Sequence, residues 1–333
     1  MRLPSYVQIE PVGQCNLRCT MCPVQFRRDG PPYGPPAFMD FDRFVRLVEE
    51  LKGLETLHLQ GLGEPMMHPR FFEMVEHAAK KGIRVTTNSN LTLLGQRKAE
   101  ECVTSGLHTL YVSIDGATAE TFERIRVRAK LDRVVQNVVA VRQAKARLSS
   151  KLPHLEMTVV AMRQNLHELP DLVRLSHRLE MQGVFVQQLS HGFGEVRLPS
   201  QYKPMTAFVE RETLLGEPNE RVEAVFAETQ RVADELGVKL RLPKIQPSPH
   251  APDKPGRERC DWPWERAYVS YDGRAMPCCM TSTPDRAQLG DVTKPGGFLK
   301  VWNGPEYEDF RARLASGDPP DVCRTCSLYR GTF

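Results

Sequence analysis

Along the first 190 residues the chain alternates between two textures. Short apolar runs of strand type fall at 7–12 (VQIEPV), 55–60 (ETLHLQ), 83–88 (IRVTTN), 108–114 (HTLYVSI), 155–162 (LEMTVVAM) and 184–189 (VFVQQL). Between them the apolar spacing is helical. Segment 40–51 puts Phe41, Phe44, Val45, Leu47 and Val48 on one face, with Asp40 as its cap. Segment 68–82 carries basic residues in its last turn and stops at Gly82. Further helices are expected at 95–105, 118–126, 130–147 and 167–181. Six strand–helix repeats predict a parallel sheet with right-handed crossovers. Six are too few to close an eight-stranded barrel. The expected fold is therefore α/β, a partial (β/α)6 TIM-like barrel over 1–191, open on one side. The pattern then breaks. Residues 192–257 read as a connection with one helix near 219–236 and a proline-rich stretch at 244–256. Residues 258–333 read as a small C-terminal α+β unit: two strand-like pieces around the turn signal Asp272-Gly273, then a helix near 305–316. So short a unit buries little core, which makes a metal staple physically reasonable.

Composition narrows the class. With 41% hydrophobic and 26% charged residues, the chain matches globular usage, which excludes disorder, collagen-like repeats and coiled coil as global descriptions. No apolar run is long enough for a membrane-spanning helix, and the N-terminal residues lack an apolar signal core, so the expected location is cytoplasmic. The net charge of +4 is small and scattered, so neither a nucleic acid nor a membrane partner is expected. The nine cysteines are the informative deviation. An odd count speaks against a disulfide framework. Eight of the nine lie at the two ends of the chain, and clustered thiols in a reducing compartment point to metal.

The first cluster is GQCNLRCTMCP, directly after the first strand, with Cys15, Cys19 and Cys22. A loop at this spacing can wrap three thiolates around one face of a cubane cluster, leaving one iron open to chelate a substrate or cofactor. A zinc site is the competing reading. At this point the sequence resembles the radical S-adenosylmethionine (radical SAM) superfamily, whose signature is Cys-x3-Cys-x2-Cys on this loop. The resemblance implies a partial barrel carrying a 4Fe-4S cluster that binds the amino and carboxylate groups of S-adenosylmethionine (AdoMet). One-electron cleavage then gives methionine and a 5′-deoxyadenosyl radical, which abstracts a substrate hydrogen. It also implies a reductant such as flavodoxin or ferredoxin. Met21 departs from the aromatic residue usual in the family.

Four further segments match by position. In GLGEP (61–65), Gly63 and Glu64 match a Gly-Gly-Glu type segment whose backbone meets the AdoMet amino group, with Leu62 replacing one glycine. Asn88, at the end of strand three, matches a polar position used for the ribose. Ser113, in VSIDG at the end of strand four, matches a serine that touches ribose, at the end of a barrel strand where active sites form. Arg126, in TFERIRVR, matches an arginine that pairs with the AdoMet carboxylate.

The second cluster comprises Cys260, Cys278, Cys323 and Cys326, which on chemistry alone suit zinc or iron–sulfur. The segment resembles the SPASM/twitch extension of radical SAM enzymes in its Cys-x17-Cys hairpin, its LGDV, its Val301-Trp302-Asn303 and its closing Cys-x2-Cys. With four to five cysteines, the shorter twitch type with one auxiliary 4Fe-4S cluster is implied. Cys279 follows Cys278, and adjacent side chains in a strand point to opposite faces. It is thus a spare thiol, and the x17 spacing assigns the ligand to Cys278. His191, after strand six, is placed to face a substrate. The resulting reading is an enzyme that oxidises a small polar metabolite of sugar or aminocyclitol type, with the auxiliary cluster as electron acceptor. The alternatives are an epimerase with Cys279 as hydrogen donor, a peptide-modifying maturase, and a non-enzymatic zinc protein.

Overall fold

The computed structural model describes residues 2–30, 34–189, 193–246 and 260–332. Its strands are β1 (Tyr6–Ile9), β2 (Thr56–Leu59), β3 (Arg84–Ser89), β4 (Thr109–Ser113), β5 (His154–Ala161), β6 (Gly183–Gln188), β7 (Lys239–Arg241), β8 (Arg266–Val269), β9 (Arg274–Met276) and β10 (Gly290–Asp291). They form one sheet in the order β10-β9-β8-β1-β2-β3-β4-β5-β6-β7. β1 to β6 run parallel in sequence order, each crossing over through a helix: α1 (Phe41–Glu50), α2 (Phe71–Ala79), α3 (Gln96–Thr104), then the pair α4 (Ala119–Ile125) and α5 (Leu131–Arg147), and α6 (Leu169–Arg178). This is the expected partial barrel.

Local chemistry sets these elements. The Asp40 carboxylate accepts from Arg43 N at 2.8 Å and caps α1, which buries Phe44, Leu47 and Val48. Gly82 takes φ +79° just past α2, a conformation costly for other residues. Pro11 has no N–H for a ladder, and β1 stops at Ile9 rather than running to residue 12. Burial alternates along the strands. In β4, Leu110 and Val112 lie buried under the helices, whereas Tyr111 and Ser113 are half-buried on the opposite, lumen side.

The connecting segment does more than its sequence suggested. It contains α7 (Lys203–Glu212) and α8 (Asn219–Leu236), followed by β7, which pairs parallel with β6. The proline-rich stretch falls largely on residues 247–259, outside the described residues. The tail is likewise tied into the barrel sheet. β8 pairs parallel with β1, with Tyr6 opposite Arg266 and Ile9 opposite Val269, and β9 and β10 follow antiparallel. The Asp272-Gly273 turn is present, with Gly273 at φ +89°. Trp302, fully buried, donates from Nε1 to Arg2 O at 3.0 Å and joins the tail to the start of the chain.

Candidate active site and cysteine centres

Cys15, Cys19 and Cys22 sit on the loop leaving β1, at the C-terminal end of the sheet. The loop is stitched to the end of α4: Arg18 N donates to Val127 O at 3.1 Å and Thr20 N to Ile125 O at 2.9 Å. The thiols themselves receive donors. Asn90 Nδ2 lies 3.7 Å and Leu17 N 3.4 Å from Cys15 Sγ, and Arg126 Nη1 lies 4.0 Å from Cys19 Sγ. Asn90 is itself held by Asn16 Oδ1 at 3.0 Å. Burial pushes all three thiols up, Cys22 to about 12; Glu64 and Cys19 push Cys15 further and Cys19 pushes Cys22, whereas the Arg126 guanidinium pulls Cys19 back. Three mutually repelling thiols in a desolvated loop are a donor set that a cationic iron centre converts to thiolates.

The glycine-rich segment lies against this loop. A Cβ at Gly63 would come 2.0 Å from Val12 O and 2.5 Å from Gln14 O, so only glycine fits there. Glu64 is buried, and both its oxygens are used internally. One accepts from Met66 N (3.2 Å) and Ser89 Oγ (2.7 Å), the other from Asn90 N (2.8 Å). Asn88 faces the lumen from the end of β3, and Ser113 is in register with the lumen-lining Thr158. Arg126 is held in a buried ion pair, Nη2 lying 2.7 Å from Asp115 Oδ2, and Asp115 also accepts from Val160 N at 2.7 Å. Its Nε is buried without a hydrogen-bond partner.

A five-residue node here was missed at the level of sequence. The Glu10 carboxylate takes both Nη atoms of Arg27, at 2.6 and 2.9 Å, with both side chains fully buried. Glu10 further accepts from Leu62 N at 3.0 Å and Tyr271 N at 3.4 Å. Arg27 also bonds Asp29 at 2.8 Å, and the Tyr271 hydroxyl donates to Asp29 O. One carboxylate thus joins the cysteine loop, the glycine segment and the tail. Its only trace in the sequence is an acidic residue inside an apolar strand pattern.

In the tail, short turns carry the thiols. Cys260 precedes the helical turn Trp262–Glu265, Cys278 and Cys279 follow β9, and Cys323 and Cys326 bracket the end of the turn Asp321–Arg324, with Cys326 N donating to Cys323 O at 3.1 Å. Burial raises every one of these thiols, Cys326 to about 12; Cys260, Cys279, Cys323 and Cys326 are raised further by others of the group, whereas hydrogen bonds from Thr281 and Met280 and the charge of Arg286 pull Cys278 back. Cys278 and Cys279 act on different surroundings. Cys278 influences buried Tyr307, whereas Cys279 influences Tyr6 and Tyr268 and lines the lumen. Among the described residues, no group of three or more His, Cys, Asp or Glu is arranged to hold a single metal ion.

The lumen is one cavity of ≈ 960 Å³. Gly61, Leu62 and Asn88 border it near the cysteine loop, and Cys260 and Cys279 border it from the tail. Its wall is polar. His58 is fixed by Gln60 Oε1 at Nε2 and Thr86 Oγ1 at Nδ1, both 2.7 Å, so Nε2 carries the proton. Burial lowers His58 to about 4, which keeps it neutral. Thr158 Oγ1 is buried without a hydrogen-bond partner. His191 lies outside the described residues. Just beyond it, Phe193 lies under Arg286 at 4.5 Å. Arg286 pairs with buried Glu195 and donates to Thr281 O at 3.1 Å, next to Cys279.

A parallel (β/α)6 sheet with a three-cysteine loop after its first strand defines a radical SAM type of barrel. Residues 9–175 match the Radical SAM superfamily, and residues 260–327 match the SPASM iron–sulfur cluster-binding domain. The chain belongs to the Radical SAM superfamily, and a 4Fe-4S cluster, an auxiliary cluster and AdoMet are the cofactors of that domain pair. Over 97% of its length it is 28% identical to a tungsten-containing aldehyde ferredoxin oxidoreductase cofactor-modifying protein of Pyrococcus furiosus, covering 87% of that protein. Over 99% of its length it is 24% identical to a PqqA peptide cyclase of Rhodopseudomonas palustris, covering 81% of it. In structure it resembles Streptococcus suis SuiB bound to its precursor peptide SuiA, with TM-score 0.69 and 15% identity, covering 99% of this chain and 71% of that one. The residues present fit the cofactors: thiols gathered in two sets, a Gly63 backbone with no room for a side chain, and an orphaned N–H at Arg126 Nε. No helix is long and apolar enough to cross a membrane among the described residues.

Proposed function

We propose that the protein abstracts a hydrogen atom from a polar substrate held in the lumen and oxidises it. The observation that carries this reading is the single ≈ 960 Å³ cavity that reaches both the glycine segment beside Cys15, Cys19 and Cys22 and the tail thiols Cys260 and Cys279. When bound, the loop cluster supplies the electron that splits AdoMet into methionine and a 5′-deoxyadenosyl radical, and the tail cluster accepts the electron that leaves the substrate. Cys15, Cys19 and Cys22 hold the first cluster. Cys260, Cys278, Cys323 and Cys326 hold the second. The backbone of Gly63, braced by Glu64, meets the AdoMet amino group, and Asn88 and Ser113 face its ribose. Arg126 offers its free Nε–H to the AdoMet carboxylate while Asp115 fixes its plane. Cys279, on the cavity wall, faces the substrate, and His191 is the second candidate to act on it. A flavodoxin or ferredoxin supplies electrons in a reducing, cytoplasmic setting.

A sugar- or aminocyclitol-like metabolite suits a cavity at the upper end of small-ligand pocket volumes, about 300–1,000 Å³, with a wall rich in hydrogen-bonding groups. Peptide modification is the second reading. It is favoured by the peptide named for the cyclase relative and for SuiB. The test is anaerobic reconstitution with iron and sulfide, followed by reduction with dithionite in the presence of AdoMet. We expect about eight irons per chain and formation of 5′-deoxyadenosine. A zinc-only protein without 5′-deoxyadenosine would sink the proposal.

A further inference from the structure

We propose that the substrate of the lumen carries an anionic group, a phosphate or a carboxylate, that docks on Arg84, Lys239, Arg241 and Arg266. The inference rests on the reading of the lumen as the substrate site.

Arg266, Tyr6, Thr56 and Arg84 form one row across β8, β1, β2 and β3, and all four line the cavity. Arg84, Lys239 and Arg266 each begin their strand. They therefore stand at the N-terminal end of the parallel sheet, whereas the cysteine loop leaves its C-terminal end. From Arg84 to Asn88 the separation along β3 is about 13 Å, at ~3.3 Å per residue. On the other flank, Lys239 is in register with Gly183, and Arg241 with Phe185. β7 and β8 are the strands added next to β6 and β1, the two edges of the six-stranded barrel. Cations thus line the lumen from both lips of its open side.

Charge accounting singles this group out. Among the described residues, four cationic side chains line the cavity against two carboxylates, Glu156 and Asp261. Among the described residues none of the four takes part in an ion pair. Arg84, Lys239 and Arg241 are exposed at the mouth and Arg266 is half-buried, whereas three buried pairs deeper in the fold are matched: Glu10 with Arg27, Asp115 with Arg126, Glu195 with Arg286. Two of the guanidinium groups are pre-oriented by rings, Arg241 over Phe185 at 4.5 Å and Arg266 over Tyr6 at 5.4 Å and Trp262 at 5.6 Å. A stacked guanidinium keeps its N–H edge free for a planar or tetrahedral anion. His108 also lines the cavity. Burial, His154 and Arg84 hold its imidazole below the ordinary value, as expected where positive potential accumulates. A ligand with its anion at this mouth extends its other end toward Asn88 and Cys279, where hydrogen abstraction is proposed.

The test uses the reconstituted holoenzyme and three matched probes: hexyl phosphate, hexanoate and 1-hexanol. Calorimetric titration at low ionic strength should show one anionic probe binding about tenfold or more tighter than the alcohol, with the advantage shrinking as salt rises. Whether phosphate or carboxylate is preferred names the class. The double variant Arg84→Gln/Arg241→Gln should lose about fivefold or more of that affinity while keeping its circular dichroism, and Arg84→Lys should lose less. Equal binding of the alcohol, or anion binding unchanged in the double variant, overturns the inference. Binding is read without AdoMet cleavage. A wild-type protein that binds the anion yet forms no 5′-deoxyadenosine would refute the radical reading alone.

Discussion

The two cysteine centres are built on opposite plans. The loop of Cys15, Cys19 and Cys22 is held by the barrel itself: backbone bonds to Ile125 and Val127, donors from Asn90 and Arg126 on the sulfurs, and the glycine segment pressed against Val12 O. Remove a metal from it and most of those bonds remain. The tail thiols sit on turns of three or four residues, 262–265, 279–281, 321–324 and 327–330, that have no ladder of their own. Such turns are held by packing, by a few side-chain bonds (Arg286 to Met280 O and Thr281 O, Arg311 to Pro263 O) and by whatever the thiols bind. One centre is positioned by its fold, and the other positions its fold.

The largest effect that could break this contrast is loss of the first centre. Changing Cys15, Cys19 and Cys22 together to Ala should abolish 5′-deoxyadenosine formation, leave about four irons per chain in the tail, and barely move thermal unfolding. Continued AdoMet cleavage would remove the ligand assignment. Next comes Cys326→Ala. Metal binding in the tail is coupled to its folding, so iron content and stability should fall together, with Tm down by about 5 °C or more. Full iron and an unchanged Tm would show that the tail is a fold-positioned site like the first.

What could be read from the sequence follows the same division. The barrel repeats were legible because parallel strands and amphipathic helices impose strong periods, and both cysteine centres were legible because spacing on a loop survives without knowledge of packing. The joining of tail and barrel into one sheet was not, because β8 pairs with β1 across 260 residues and no local pattern records a parallel partner. β7 was missed for the same reason, being three residues with no apolar run. Glu10 and Arg27 were passed over because each is ordinary alone, and only burial shows that they must be paired.

That node makes a third test, since it touches both regions. Arg27→Ala leaves the Glu10 carboxylate buried and uncompensated, which should cost about 3–5 kcal/mol in denaturant unfolding. Because Glu10 also holds Leu62 N and Tyr271 N, the glycine segment 61–65 and the tail hairpin should loosen together, read as faster amide exchange at both. Arg27→Lys should recover only part, since an ammonium cannot span both carboxylate oxygens and Asp29 at once. Exchange that rises at one region only would show that the two are independent.

The smallest expected effect is the one that decides the reaction type. After hydrogen abstraction a substrate radical can lose an electron and a proton to give a carbonyl or imine, or it can take a hydrogen atom from the opposite face to give an epimer. The first outcome needs an electron acceptor, and the second needs a thiol in the cavity. Cys279 lines the cavity, and its thiol is pushed well up by burial and by Cys278, so it is kept as S–H, the form a hydrogen donor requires. Yet Cys279 is also raised by Cys260 and Cys326, which places it in the group whose other members are assigned to the auxiliary cluster, and a thiol packed on that group serves the structure without reacting. We therefore expect Cys279→Ala to change turnover by no more than about twofold, with an oxidised product that carries no solvent deuterium at the abstracted carbon when the reaction runs in deuterium oxide. Uptake of deuterium at that carbon, lost together with turnover in the variant, would turn the assignment from dehydrogenase to epimerase and make the tail a source of hydrogen atoms rather than a sink for electrons.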